Sequence, residues 1–230
     1  VLPLRDRLPT RTFPAVTVAL IAANAVVWVA YQVPDLEGSV EEIGYQPCEV
    51  DGSCETIGLG WPANAITSMF AHGSWDHIAV NMLFLWIFGN NVEDALGRLR
   101  YLLFYVLAGF AATALQSYVT LAYGNPGDGA IPNVGASGAI AGVLGAYLLL
   151  FPRSRILSWV FPVFFLPVRA WLYLGIWFVF QLFDGGYAFT HPEESGGIAY
   201  FAHIGGFAFG FLTARIFMAG RPPKLGLEAA

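Results

Sequence analysis

The sequence predicts an all-α polytopic membrane protein: a bundle of six transmembrane helices, the fourth of them short and starting inside the membrane. Three observations predict it. Of the 230 residues, 57% are hydrophobic and only 12% charged, where a soluble domain carries about 25% charge. Six apolar runs of helical length follow one another along the chain. When those runs alternate in direction, every basic residue falls on one side.

The elements follow in order. Residues 1–12 hold Arg5, Arg7 and Arg11 and read as a cytoplasmic tail. Residues 13–33 form the first span, since about 20 residues at ~1.5 Å each cross a ~30 Å hydrocarbon core. That run is too long for a signal peptide and has no Ala-x-Ala exit, so it reads as a retained anchor. Residues 34–76 form a long acidic loop. Its second half, IGLGWPANAITSMFAHGSW, is too apolar for ordinary solvated chain and suggests short helices in the outer leaflet or against the bundle. Residues 77–95 and 101–123 are the second and third spans. Gly124, Pro126, Gly127, Gly129, Pro132 and Gly135 then break the helix. The fourth run, 137–151, is short for a span, which puts its start below the membrane surface. A joint at 151–167 leads to the fifth run, 168–183, extended upstream by the aromatic stretch SWVFPVFFLP. The loop 184–200 and the sixth run, 200–218, follow. Residues 13–220 thus make one membrane domain, and 221–230 a second cytoplasmic tail.

Charge orients the bundle. Arg5, Arg7, Arg11, Arg98, Arg100, Arg153, Arg155, Arg169, Arg215, Arg221 and Lys224 are all the basic residues. In a six-span threading they share the side of the N-terminus. Asp35, Glu37, Glu41, Glu42, Glu49, Asp51, Glu55, Asp76, Asp128, Asp184, Glu193 and Glu194 lie opposite. The positive-inside rule puts both termini in the cytoplasm, in an inner or plasma membrane. The bilayer is therefore one partner; a nucleic acid is not expected.

Polar residues in apolar helices are costly and point to function. His203 sits in YFAHIGGFAFGF, where Ala202, Gly206 and Gly210 leave one helix face thin enough for close approach by another backbone. Packing explains the small residues but has no need of an imidazole. Ser137 heads the short run in NVGASGAI. It could cap its helix, or it could be a nucleophile, with helix amides beside it to hold an oxyanion and His203 as its base. His77 and Asn81 are four apart and share a face, with His72 just upstream. The Asn81 amide could donate to an oxyanion or serve as an interhelical hydrogen bond. Zinc on His72, His77, Cys48 and Cys54 is a further reading, but the spacing matches no strong metal signature, so no metal or cofactor is expected. Cys48 and Cys54, in PCEVDGSC, are either a disulfide or two free thiols.

Taken together, these motifs resemble the rhomboid intramembrane serine proteases over nearly the whole chain. The match comprises His72, His77 and Asn81 as HxxxxHxxxN, Gly135 to Gly138 as GxSG, Ala202, His203, Gly206 and Gly210 as AHxxGxxxG, and the stretch NVEDALGRLRY. The resemblance implies a catalytic dyad, with Ser137 the nucleophile and His203 the general base and acid. His77, Asn81 and the Ser137 backbone amide would form the oxyanion hole, His72 would support the first loop and water path, and Gly135 and Gly138 would keep backbone near the reacting centre. Substrates would be single-pass membrane proteins cut in or near their transmembrane segments, with the active site opening to the extracytoplasmic side, the loop 184–200 its cap and the lipid entrance beside the fifth helix. Two other classes are weighed. An inactive relative that binds membrane clients would be expected to lack Ser137 or His203, and both are present. A transporter would line a continuous path and often show an inverted repeat, whereas the polar residues here cluster in one half of three helices. Substrate identity and any homo-oligomer are not readable.

Overall fold

Around the helix that begins at Ser137, the chain packs small residues against small residues. The computed structural model describes residues 1–160, 162, 164–190 and 199–220. Its elements are β1 (Leu2–Asp6), α1 (Ala15–Val27, continued by a π-turn Trp28–Gln32), α2 (Leu36–Ile43), α3 (Cys48–Asp51), α4 (Ala63–Thr67) and α5 (Trp75–Phe84, continued by a π-turn Leu85–Gly89). They continue as α6 (Asn90–Leu96), α7 (Arg98–Tyr123), α8 (Ser137–Leu150), β2 (Arg155–Val160), β3 (Phe164–Arg169), α9 (Ala170–Thr190) and α10 (Tyr200–Met218). The fold is mostly helical. Among the described residues, three helices are long and apolar enough to cross a membrane, at Ala15–Gln32, Arg98–Tyr123 and Tyr200–Met218.

Central α8 is apolar and buried on every side, as a helix without a polar face must be. It packs chiefly against α10 and α7. Glycines set the separation from α10. A Cβ at Gly206 would fall on the Gly138 carbonyl oxygen, and one at Gly210 on that of Gly142. The two backbones therefore touch directly, a packing that side chains would forbid.

Carboxylates fasten α1 to the rest. The buried Glu93 of α6 accepts from the Val16 amide at 3.0 Å and from the Thr17 amide and hydroxyl at 2.8 Å each. It thus satisfies free amides at a helix start whose own chain supplies no side-chain cap. Asp94 accepts from the Arg11 amide at 3.1 Å and the Thr12 hydroxyl at 2.9 Å. At the foot of α10, the Arg100 guanidinium donates to the carbonyls of Phe217 and Ala219.

The chain is not all-α. An antiparallel three-stranded sheet runs in the order β1–β2–β3, and it corrects two expectations. Residues 158–160 and 164–167 do not extend the fifth span upstream; they lie in strands β2 and β3, with Ile156 opposite Val168 and Val160 opposite Phe164. Pro162 and Pro167 exclude a helix interior, while the aromatic and β-branched residues around them suit strands. Residues 1–12 are not a bare tail either, since Leu2 pairs with Trp159 and Asp6 with Ile156. Asp6 also accepts from Asn91 Nδ2 and from the Tyr147 hydroxyl, the latter at 2.7 Å.

Other boundaries shift. Helix α9 starts at Ala170 and runs on to Thr190, through much of the loop expected at 184–200. Residues 191–198 of that loop and the whole of the tail 221–230 lie outside the described residues. Within 34–76, α2 to α4 and a 3₁₀ turn at Ser68–Phe70 are present. Tyr45 and Asn133 exchange backbone hydrogen bonds at 3.0 and 2.7 Å, tying this loop to the segment before α8. Cys48 and Cys54 are joined in a disulfide.

Candidate active site

Ser137 is the first residue of α8, and its side chain does not cap the helix. Its hydroxyl bonds instead to His203 Nε2 of α10 at 2.8 Å. The same glycine contact that joins α8 and α10 one turn further on brings these two residues together. The other ring nitrogen, His203 Nδ1, lies 2.6 Å from Gln181 Oε1 of α9. Trp177, one turn before Gln181, places its ring 6.0 Å from the imidazole.

Opposite stands α5. Ser74 caps it by accepting from the His77 amide at 3.1 Å, a local arrangement that Ser-x-x preceding an apolar run favours. The Gly73 amide donates to His77 Nδ1 at 3.4 Å, which leaves the ring proton on Nε2. That nitrogen faces Gly135, where an added Cβ would lie 2.8 Å from it and 3.4 Å from Ser137 Oγ. Gly135 has φ +127°, so both its conformation and its crowding require glycine. Asn81 is buried, and its Nδ2 has no hydrogen-bond partner among the described residues. Asn81, His77, Ser137 and His203 all line one cavity of about 530 Å³, with Trp177 on its wall.

His72 stands back from this cavity. It is fully buried, its ring edge-on to His77 at 5.0 Å, and neither ring nitrogen has a partner among the described residues. Burial, and secondarily the neighbouring His77, push its pKa down to about 4. Its backbone is clamped by Gln32 at the end of α1: the His72 amide donates to Gln32 Oε1 at 2.8 Å, and Gln32 Nε2 donates to the His72 carbonyl at 3.0 Å.

Gly138 of α8 meets Ala112 of α7 and Ala202 of α10. The Ala202 amide, at the open end of α10, donates to Gln116 Oε1 of α7 at 3.2 Å. The Gly135 amide donates to the Ser68 carbonyl at 2.9 Å. Sequence reasoning missed Gln32, Gln116 and Gln181. Each was marked only as an amide in an apolar helix, a group that requires a partner there. Among the described residues, no three or more His, Cys, Asp or Glu side chains come together as a metal site.

Such an arrangement brings a hydroxyl and an imidazole nitrogen within hydrogen-bond reach of each other, with the Asn81 amide and the His77 ring lining the same cavity. Residues 61–220 match the family described as Rhomboid domain. Rhomboid protein 1, mitochondrial, of Saccharomyces cerevisiae is 36% identical over 149 residues, 64% of this chain and 39% of that protein. Presenilin-associated rhomboid-like protein, mitochondrial, of Homo sapiens is 29% identical over 146 residues, 63% of this chain and 35% of its own length. Rhomboid protease GluP of Bacillus subtilis is 33% identical over 151 residues, 65% of this chain and 25% of its own. The chain thus spans between a quarter and two-fifths of the length of these relatives. With the matched domain covering most of its length, the chain is a membrane protein of the rhomboid family.

Proposed function

We propose that the protein is an intramembrane serine endopeptidase that cuts single-pass membrane proteins in or near their transmembrane segments. The observation that carries the reading is the 2.8 Å bond from Ser137 Oγ to His203 Nε2. In the reaction, Ser137 attacks the scissile carbonyl carbon as its proton passes to His203 Nε2. The carbonyl oxygen becomes an oxyanion, held by the Ser137 amide, Asn81 Nδ2 and His77 Nε2–H. Collapse of the tetrahedral intermediate breaks the C–N bond, and the imidazolium returns its proton to the leaving amine. Water then adds to the acyl carbon as it loses a proton to His203; collapse breaks the bond to Ser137 Oγ, releases the carboxylic acid, and returns the proton from His203 to Ser137. His72 supports the loop beside the oxyanion donors, and Gly135, Gly138, Ala202, Gly206 and Gly210 permit the close backbone contacts.

Six spans suit this chemistry: α1, α5 with α6, α7, α8, α9 and α10. Fourteen residues in α8 make a helix of about 21 Å at ~1.5 Å per residue, short of a ~30 Å core. With its foot at the cytoplasmic surface, Ser137 lies about 10 Å beneath the opposite one. Both termini are then cytoplasmic, and the cavity opens to the extracytoplasmic side.

The test is cleavage of membrane-anchored reporters by purified protein in liposomes, beside the Ser137→Ala and His203→Ala variants. Cleavage by the native chain and none by either variant is expected. Equal cleavage by the Ser137→Ala variant would refute the mechanism.

A further inference from the structure

We infer that Gln181 is the positioning residue that holds the His203 ring as a base, extending the pair into a chain of three: Ser137, His203, Gln181. The inference rests on the hydrolase reading above, in which His203 must accept the Ser137 proton. A neutral imidazole carries one N–H, and its other nitrogen is then the acceptor. Gln181 Oε1 can only accept, and it lies 2.6 Å from His203 Nδ1. The ring proton is therefore held at Nδ1. Nε2, with its lone pair free, faces the Ser137 hydroxyl at 2.8 Å. The opposite tautomer would point N–H at the serine and set a lone pair against the glutamine oxygen. It can take no proton from Ser137.

The bond works harder during reaction. Once Ser137 gives up its proton, His203 is an imidazolium, and Nδ1–H becomes a charged donor to the same oxygen, roughly twice as strong as a neutral one. A neutral amide suits a site walled by Trp177, where an unpaired carboxylate would be costly to bury. The three groups come from α8, α10 and α9, so the orientation of the base depends on how α9 sits. The titratable side chain facing His203 is His77 of α5. Those that α7, α8 and α9 bring to this turn of α10 (Gln116, Ser137 and Gln181) are uncharged.

Purified full-length chain in liposomes provides the test, with Gln181→Met, Gln181→Glu and Ser137→Ala compared. Four quantities are read: kcat and KM on a membrane-anchored reporter, the rate at which a fluorophosphonate labels Ser137, the pH profile, and the melting temperature. Methionine keeps the length without the acceptor. Its kcat and labelling rate should fall about 10- to 10²-fold, toward the loss of general-base assistance, with KM and melting temperature unchanged. Glutamate keeps the acceptor and should recover most of the rate. Its carboxylate favours the imidazolium, so the acid limb of its pH profile should move to higher pH. A Gln181→Met protein that turns over and labels at the native rate overturns the inference while leaving the hydrolase reading intact. Should that variant fail to fold, Gln181→Glu decides: an acid limb unmoved from native refutes it. A native chain that neither cleaves nor labels would remove the hydrolase reading, and this inference with it.

Discussion

A buried primary amide with its nitrogen unpaired costs about 1–3 kcal/mol, and Asn81 Nδ2 is in that state beside the cavity. The proposed mechanism gives that nitrogen an oxyanion to donate to, and the fold gives it no interhelical bond among the described residues. Asn81→Ala should therefore lower kcat by about 10²-fold and leave the melting temperature unchanged or slightly raised. A collapsed melting temperature with native turnover in the folded fraction would make Asn81 structural. His72 gives a second outcome at this scale. Its pKa lies near 4, below the ordinary 6.5, so between those values the unfolded chain binds a proton that the folded one does not. The stability contributed by His72 is whole above pH 6.5 and drains away as pH falls toward 4. A His72→Phe variant should lose less melting temperature than the native chain between pH 7.5 and 5; an equal loss in both would assign the acid sensitivity to another group. Single residues were legible where a side chain has few bland uses. An imidazole or a serine at a breaker–helix junction stood out, and so did a histidine among glycines. Gln32, Gln116 and Gln181 did not, because an amide in an apolar helix announces the need for a partner without naming it.

Between elements, the contact of α8 with α10 decides whether the site exists. A side chain at Gly206 must displace the Gly138 carbonyl, and Gly138 is the neighbour of Ser137. Gly206→Val should force the helices apart, costing about 1–3 kcal/mol or more, and should lower melting temperature and kcat together. Gly206→Ala should fall between. A native melting temperature and rate for the valine variant would mean that the helices do not meet there. This contact was legible, since small residues at a spacing of four beside a histidine mark a thin helix face. The β2–β3 hairpin was not. Its residues are as hydrophobic as a span, and hydropathy alone cannot separate apolar strand from apolar helix. Pro162 and Pro167 were the available signal, outweighed by the aromatic run. Nor could local sequence give Glu93 as the cap of α1, because the carboxylate and the helix start are joined only through the fold.

Over the whole molecule, a six-span threading of the sequence places every basic residue on one side. It leads to an expectation about orientation. Leu99 and Ile131 are both exposed, before and after the body of α7. In intact cells, an impermeant maleimide should modify Ile131→Cys and miss Leu99→Cys; the reverse would invert the topology. The native disulfide leaves no free thiol among the described residues, so the background should be low without reductant. Closing so short a loop contributes about 2 kcal/mol, and reduction should lower the melting temperature by a few degrees. The sheet carries a different consequence, for biosynthesis. Residue 2 hydrogen-bonds across to the strand at residue 159, so β1 leaves the ribosome long before its partner exists. At ~5–20 residues per second, that wait is about 10–30 s. Glu93 arrives sooner to secure α1 and Asn91 to meet Asp6, whereas the second partner of Asp6, Tyr147, comes later. The nascent edge of β1 stays open while the helices between it and β2 are made, and a later segment fastens an earlier one.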